Sequence, residues 1–202
     1  MNDVERALSE ISDIRSRMAA STRFRGYAPE AVAISGLLSF VVMLAMMIWP
    51  ERFAASDIQQ ALLWGAVMLA GSLTIFGEVI GRTRRQHGGM AEAMLRGAMR
   101  TVLPISLVCL VPALVVILHA PQVAWLLPGL WQMLIGVAAF ASYSSMPRGI
   151  VWPASWYLLT GAAVTLVSAS DNALSPLLCG IPFIVGHIWI AWLLHRQGPQ
   201  YS

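Results

Sequence analysis

Residues 31–49 read AVAISGLLSFVVMLAMMIW, a run without a single charged side chain. At about 1.5 Å of rise per residue such a run forms a helix of roughly 30 Å, the thickness of a bilayer's hydrocarbon layer. Working outward from it, five more stretches have the same character, at 61–80, 102–120, 124–143, 150–168 and 174–194, each bounded by charge, proline or a polar run. The whole chain of 202 residues is 57% hydrophobic and only 11% charged. Soluble domains carry about a quarter charged residues, so this chain has too little polar surface to cover an aqueous globule. The expected fold is all-α, a six-helix transmembrane bundle over 29–196, preceded by a cytoplasmic leader at 1–28 and followed by a short tail at 197–202.

Six crossings put both termini on one side, and arginine decides which side. All 13 basic residues are arginine. Twelve of them fall before the first stretch, between the second and third, between the fourth and fifth, or after the sixth, leaving only Arg52 for the opposite face. The positive-inside rule then places both termini in the cytoplasm. The absence of lysine reads as coding bias rather than as a nucleic-acid surface, and no direct nucleic-acid contact is expected. The start Met1-Asn2-Asp3-Val4-Glu5-Arg6 lacks the apolar core of a secretory signal peptide. Trp49, Trp64, Trp125, Trp152, Trp156, Trp189 and Trp192 lie toward the ends of the stretches, where indoles favour the membrane interface.

The outer connections around Pro121-Gln122 and Ser170-Asp171-Asn172 are short. The cytoplasmic side offers more. Val4, Leu8, Ile11, Ile14 and Met18 recur at helical spacing opposite Glu5, Arg6, Glu10, Asp13 and Arg17, which predicts an amphipathic helix with Asn2 or Asp3 as N-cap. Arg23 and Arg25 anchor the chain at the interface, and Pro29-Glu30 opens the first membrane helix. Arg82, Arg84 and Arg85 form a basic turn before a short helix at 90–99, within a loop at 81–100. Such a cluster attracts anionic head groups or serves as a topology signal.

Ionisable groups within the membrane are costly, so each is a functional candidate. Glu78 and Gln132 each fall within roughly 6–8 Å of the depth of His187, which admits one buried polar cluster if the second, fourth and sixth helices are neighbours. Glu78 also stands four residues before Arg82, the spacing of a local ion pair. The same arithmetic sets His119 and His187 roughly 15–20 Å apart, too far to share a metal, and separates Cys109 from Cys179 beyond the ~7 Å Cα limit of a disulfide. No glycine-rich phosphate loop, zinc motif, nucleophile elbow or paired-cysteine motif is present, so no cofactor, metal or catalytic residue is assigned. Ala61/Gly65, Gly161/Thr165 and Gly71 offer small surfaces for helix packing, and Pro104, Pro112, Pro153 and Pro182 suggest kinks.

At Met18-Ala19-Ala20-Ser21-Thr22-Arg23-Phe24, Leu130-Trp131-Gln132-Met133-Leu134-Ile135-Gly136, Trp156-Tyr157-Leu158-Leu159-Thr160-Gly161 and Gly180-Ile181-Pro182-Phe183-Ile184-Val185-Gly186-His187, the chain resembles a poorly characterised family of small six-span bacterial inner-membrane proteins. Genes of that family often sit beside a winged-helix transcriptional regulator, so the resemblance implies such a regulator as a partner. Together these readings lead to the expectation of a non-enzymatic membrane protein that acts on a regulatory partner through its cytoplasmic leader and basic loop. The alternative is a small transporter or channel built around His187.

Overall fold

A computed structural model describes residues 29–86, 91–143, 146–171 and 173–196, without the side chains at 79, 82–86, 91–102 and 148. The expected leader helix, with Arg23 and Arg25, lies outside the described residues, as do the side chains of Arg82, Arg84 and Arg85. Seven α-helices make up the described chain: α1 (Pro29–Ile48), α2 (Pro50–Phe53), α3 (Asp57–Gln86), α4 (Ala91–His119), α5 (Leu126–Ala141), α6 (Val151–Asp171) and α7 (Pro176–Arg196). Each of the six apolar stretches falls on one long helix. Among the described residues three segments are long and apolar enough by themselves to cross a membrane, Pro29–Ile48, Asp57–Glu78 and Pro176–Arg196, while Leu103–His119 and Leu126–Ala141 are shorter apolar helices.

The segment read as a loop at 81–100 is mostly helix. α3 runs on to Gln86 and α4 begins at Ala91, so only a few residues separate them. Arginine, alanine and methionine make up eleven of the twenty residues at 81–100, and these are strong helix formers that let a helix project beyond the apolar layer. The other end of α3 is fastened by its own side chains. Ser56 Oγ accepts a hydrogen bond from the Gln59 amide N–H, and Gln59 reaches back to accept from Ala55 N–H and to donate to the Arg52 carbonyl. This arrangement closely follows the serine–glutamine capping box. Asp57 and Gln60 then clasp the connection before α7, accepting from Leu174 N–H and donating to the Leu174 carbonyl.

The six long helices form a ring in which each lies against its two chain neighbours, and α1 closes on α7. The tightest seams are α5 with α6 and α1 with α7. Both are antiparallel and both depend on glycine. A Cβ on Gly161 would stand 2.8 Å from the Gly129 carbonyl, and one on Gly36 would stand 3.0 Å from His187 Cβ. Gly71 receives the Ser35 side chain in the same way, and Gly65 lies against Trp131. These small residues act within the chain, as close helix approach requires.

Two of the sequence readings need correction. Trp64 is not an interface residue: it is wholly buried and stacks on Phe183, with ring centroids 5.6 Å apart and planes 5° from parallel. Its apolar ring area outweighs the interfacial preference of the indole once a facing aromatic is available. By contrast Trp49, Trp152 and Trp192 are exposed. Pro153 lies in the first turn of α6, where the missing N–H is an orphan anyway, so it opens the helix instead of kinking it. Pro104, Pro112 and Pro182 are the ones inside helices.

Candidate functional site

α5 supplies two adjacent polar side chains that reach in different directions. Trp131 Nε1 donates to the Cys109 carbonyl on α4 at 3.3 Å, and Gln132 Nε2 donates to the Cys179 carbonyl on α7 at 3.1 Å. Both acceptors stand three residues before a proline, Pro112 and Pro182 respectively. A proline removes its N–H from the helical ladder, so Pro112 frees the Val108 carbonyl and Pro182 the Leu178 carbonyl, and the loosened turn leaves the next carbonyl open to a donor from a neighbouring helix. Cys109 and Cys179 are both free thiols.

One turn beyond Cys179 on α7 lies Phe183, and a further turn on is His187. His187 Nδ1 is 2.7 Å from the Tyr157 hydroxyl and 2.9 Å from the Phe183 carbonyl oxygen. The Tyr157 hydroxyl in turn donates to that carbonyl at 3.2 Å. Tyr157 is wholly buried, and its ring meets both Phe183 and His187 edge to face. Gly186 makes room for it, since any Cβ there would overlap the phenol ring. Trp156, beside it on α6, donates from Nε1 to the Pro182 carbonyl at 3.1 Å.

His187 also forms part of the wall of a cavity of about 650 Å³ enclosed by α1, α3, α4, α5 and α7. Ser35, Ser39, Trp131 and Phe183 line it with many aliphatic side chains, while Tyr157 does not. Its rim carries Leu62 and Leu69 from α3 and Leu110 and Leu114 from α4, all about half exposed or more. The cavity therefore opens sideways between α3 and α4, through an apolar mouth. Among the described residues α4 is the least tightly held of the long helices, lying mainly against α3, α5 and the turn at Pro121–Val123.

The structure does not gather Glu78, Gln132 and His187 into one cluster. Gln132 is level with Cys179, two turns and about 12 Å along α7 from His187. Gly71 meets Ser35, beside the Gly36 that meets His187, which sets Glu78 two turns and about 10 Å further along α3. Glu78 has a polar interaction of its own, and the side chain of Arg82 lies outside the described residues.

The partner that sequence reasoning missed is Tyr157. A usable signal existed: Tyr157 lies seven residues into the fifth apolar stretch, and His187 lies seven from the end of the sixth, so both are about 10 Å from the same face. No family model, curated protein or solved structure matches the chain.

Proposed function

We propose that this chain is a six-span protein of the bacterial inner membrane, with both termini in the cytoplasm, that takes an apolar molecule from the bilayer and relays its presence to a cytoplasmic regulatory partner. The observation that carries the reading is the cavity that opens between α3 and α4. Its wall is almost entirely aliphatic and aromatic, the character of sites that hold lipophilic ligands with a few polar groups for orientation. A loosely held α4 suits a gate through which such a molecule enters, and α3 and α4 project toward the cytoplasmic basic loop. A winged-helix regulator, implied by the resemblance, fits as the partner engaged by the leader and by the turn bearing Arg82, Arg84 and Arg85.

The test is mass spectrometry of the detergent-purified protein beside Ser106→Trp, which fills the cavity from α4. The wild type is expected to retain an apolar molecule in stoichiometric amount and the variant to lose it. Equal, non-stoichiometric lipid on both would overturn the reading. Deleting residues 2–25 is expected to abolish recovery of the regulator in a pull-down, and unchanged recovery would remove the leader from the account.

A transporter is the second reading, favoured by the prolines inside α4 and α7 on either side of the cavity. It predicts flux of a lipophilic solute in reconstituted vesicles that the Ser106→Trp variant blocks.

A further inference from the structure

The ring of His187 determines more about the occupant than that it is apolar. Three polar atoms form a closed triangle: Nδ1, the Tyr157 hydroxyl and the Phe183 carbonyl oxygen, separated by 2.7, 2.9 and 3.2 Å. The carbonyl has no hydrogen to give and the hydroxyl has one. If Nδ1 were bare, its lone pair would face the carbonyl oxygen at 2.9 Å with no proton between them. With Nδ1 protonated every side of the triangle is favourable, because the ring N–H donates to the hydroxyl and the carbonyl while the hydroxyl donates to the carbonyl. The Nδ1–H to backbone carbonyl bond is a common way of fixing the tautomer of a histidine. In the neutral ring Nε2 is then an acceptor.

Because Tyr157 and Phe183 take up Nδ1, Nε2 is the ring nitrogen left to meet the cavity. Tyr157, on the Nδ1 side, takes no part in the cavity wall, whereas His187 does. The nearest serines add little donor capacity: the Ser39 proton is committed to the Ser35 carbonyl within α1, and the Ser35 side chain fits into the notch at Gly71, while Ser72, Ser106 and Ser142 line other parts of the wall.

From this geometry we infer that the site selects an apolar molecule whose head carries a hydrogen-bond donor, a long-chain alcohol, with its hydroxyl donating to His187 Nε2 and its chain lying along α3 and α4 toward the mouth. The inference rests on the proposed lipophile-holding function and narrows it to one head-group chemistry. Ethers, esters and ketones offer only acceptors and meet a second acceptor at Nε2, so they bind no better than a plain alkane of equal length.

The test uses the full chain in nanodiscs and a photoactivatable long-chain alcohol, with the labelled residues mapped by peptide mass spectrometry. Labelling is expected on the α3 and α4 wall, near Leu69 and Leu110. 1-Dodecanol is expected to compete roughly tenfold better than 1-methoxydodecane, the difference one buried hydrogen bond makes in a membrane. In His187→Phe the wall labelling persists and the preference disappears. In Tyr157→Phe the preference remains, because the Phe183 carbonyl still holds the Nδ1 proton. Equal competition by alcohol and ether, with wall labelling intact, overturns the alcohol inference and leaves the lipophile reading standing. Labelling that avoids the α3 and α4 wall altogether overturns both.

Discussion

Trp64 is buried with no acceptor for its Nε1–H among the described residues, while its ring lies flat on Phe183. A buried unsatisfied donor costs about 1–3 kcal/mol, so the indole is held there for its area and its stacking rather than for its N–H. Replacing Trp64 with phenylalanine keeps a stacked ring, removes the orphan donor and leaves a small void. The two effects oppose each other, and the melting temperature in detergent is expected to stay within a few degrees of wild type. A large fall would show that the N–H has a partner, such as a buried water. Tyr157→Phe differs, because it removes a hydroxyl that accepts from His187 Nδ1–H and donates to the Phe183 carbonyl. Its expected cost is about 1 kcal/mol, in line with interhelical hydrogen bonds measured in membranes, and thermal unfolding of the purified protein measures it. At this scale the sequence showed that His187 was an exceptional residue within an apolar stretch. It did not show Tyr157 as its partner, since tyrosines near stretch ends are common for interfacial reasons alone.

Helix seams respond to volume more than to polarity. Gly161 on α6 faces backbone atoms of α5, and a Cβ would stand 2.8 Å from the Gly129 carbonyl and from Met133 N. Backbone cannot rotate aside, so Gly161→Ala must push α5 and α6 apart, and a loss of about 1–3 kcal/mol is expected by analogy with overpacked cores. Gly77 on α3 is the matched control, because nothing lies within 4 Å of its added Cβ. Alanine there raises helix propensity by up to about 1 kcal/mol, and stability is expected to hold or rise slightly. Denaturation of both variants in the same detergent compares them directly; a Gly161→Ala protein as stable as Gly77→Ala would refute the seam. The regular four-residue spacing of Gly161 and Thr165 announced a packing surface. The helix it would face was not evident, because small residues record how close a neighbour comes and not its identity.

The ring of six helices predicts a simple pattern of exposure across a membrane. With Cys109 and Cys179 changed to alanine, Gln122→Cys and Ser170→Cys are expected to react with a membrane-impermeant maleimide added to spheroplasts. Ser202→Cys is expected to react only after lysis. Reaction of the C-terminal cysteine in intact spheroplasts would overturn the orientation. Composition by itself determined that most of this chain must avoid water, because 11% charged residues cannot cover a globule, and it determined the six apolar stretches that became the long helices. The arginine distribution supplied a definite orientation to test. Tertiary structure alone decided which helices meet, that Trp64 turns inward, that α3 and α4 part to leave a cavity, and that His187 is held by Tyr157 and Phe183. The reason is that apolar periodicity is nearly uniform around a lipid-facing helix, so hydrophobicity cannot mark the inward face. Only the mutual fit of glycine notches, aromatic rings and loosened carbonyls selects it.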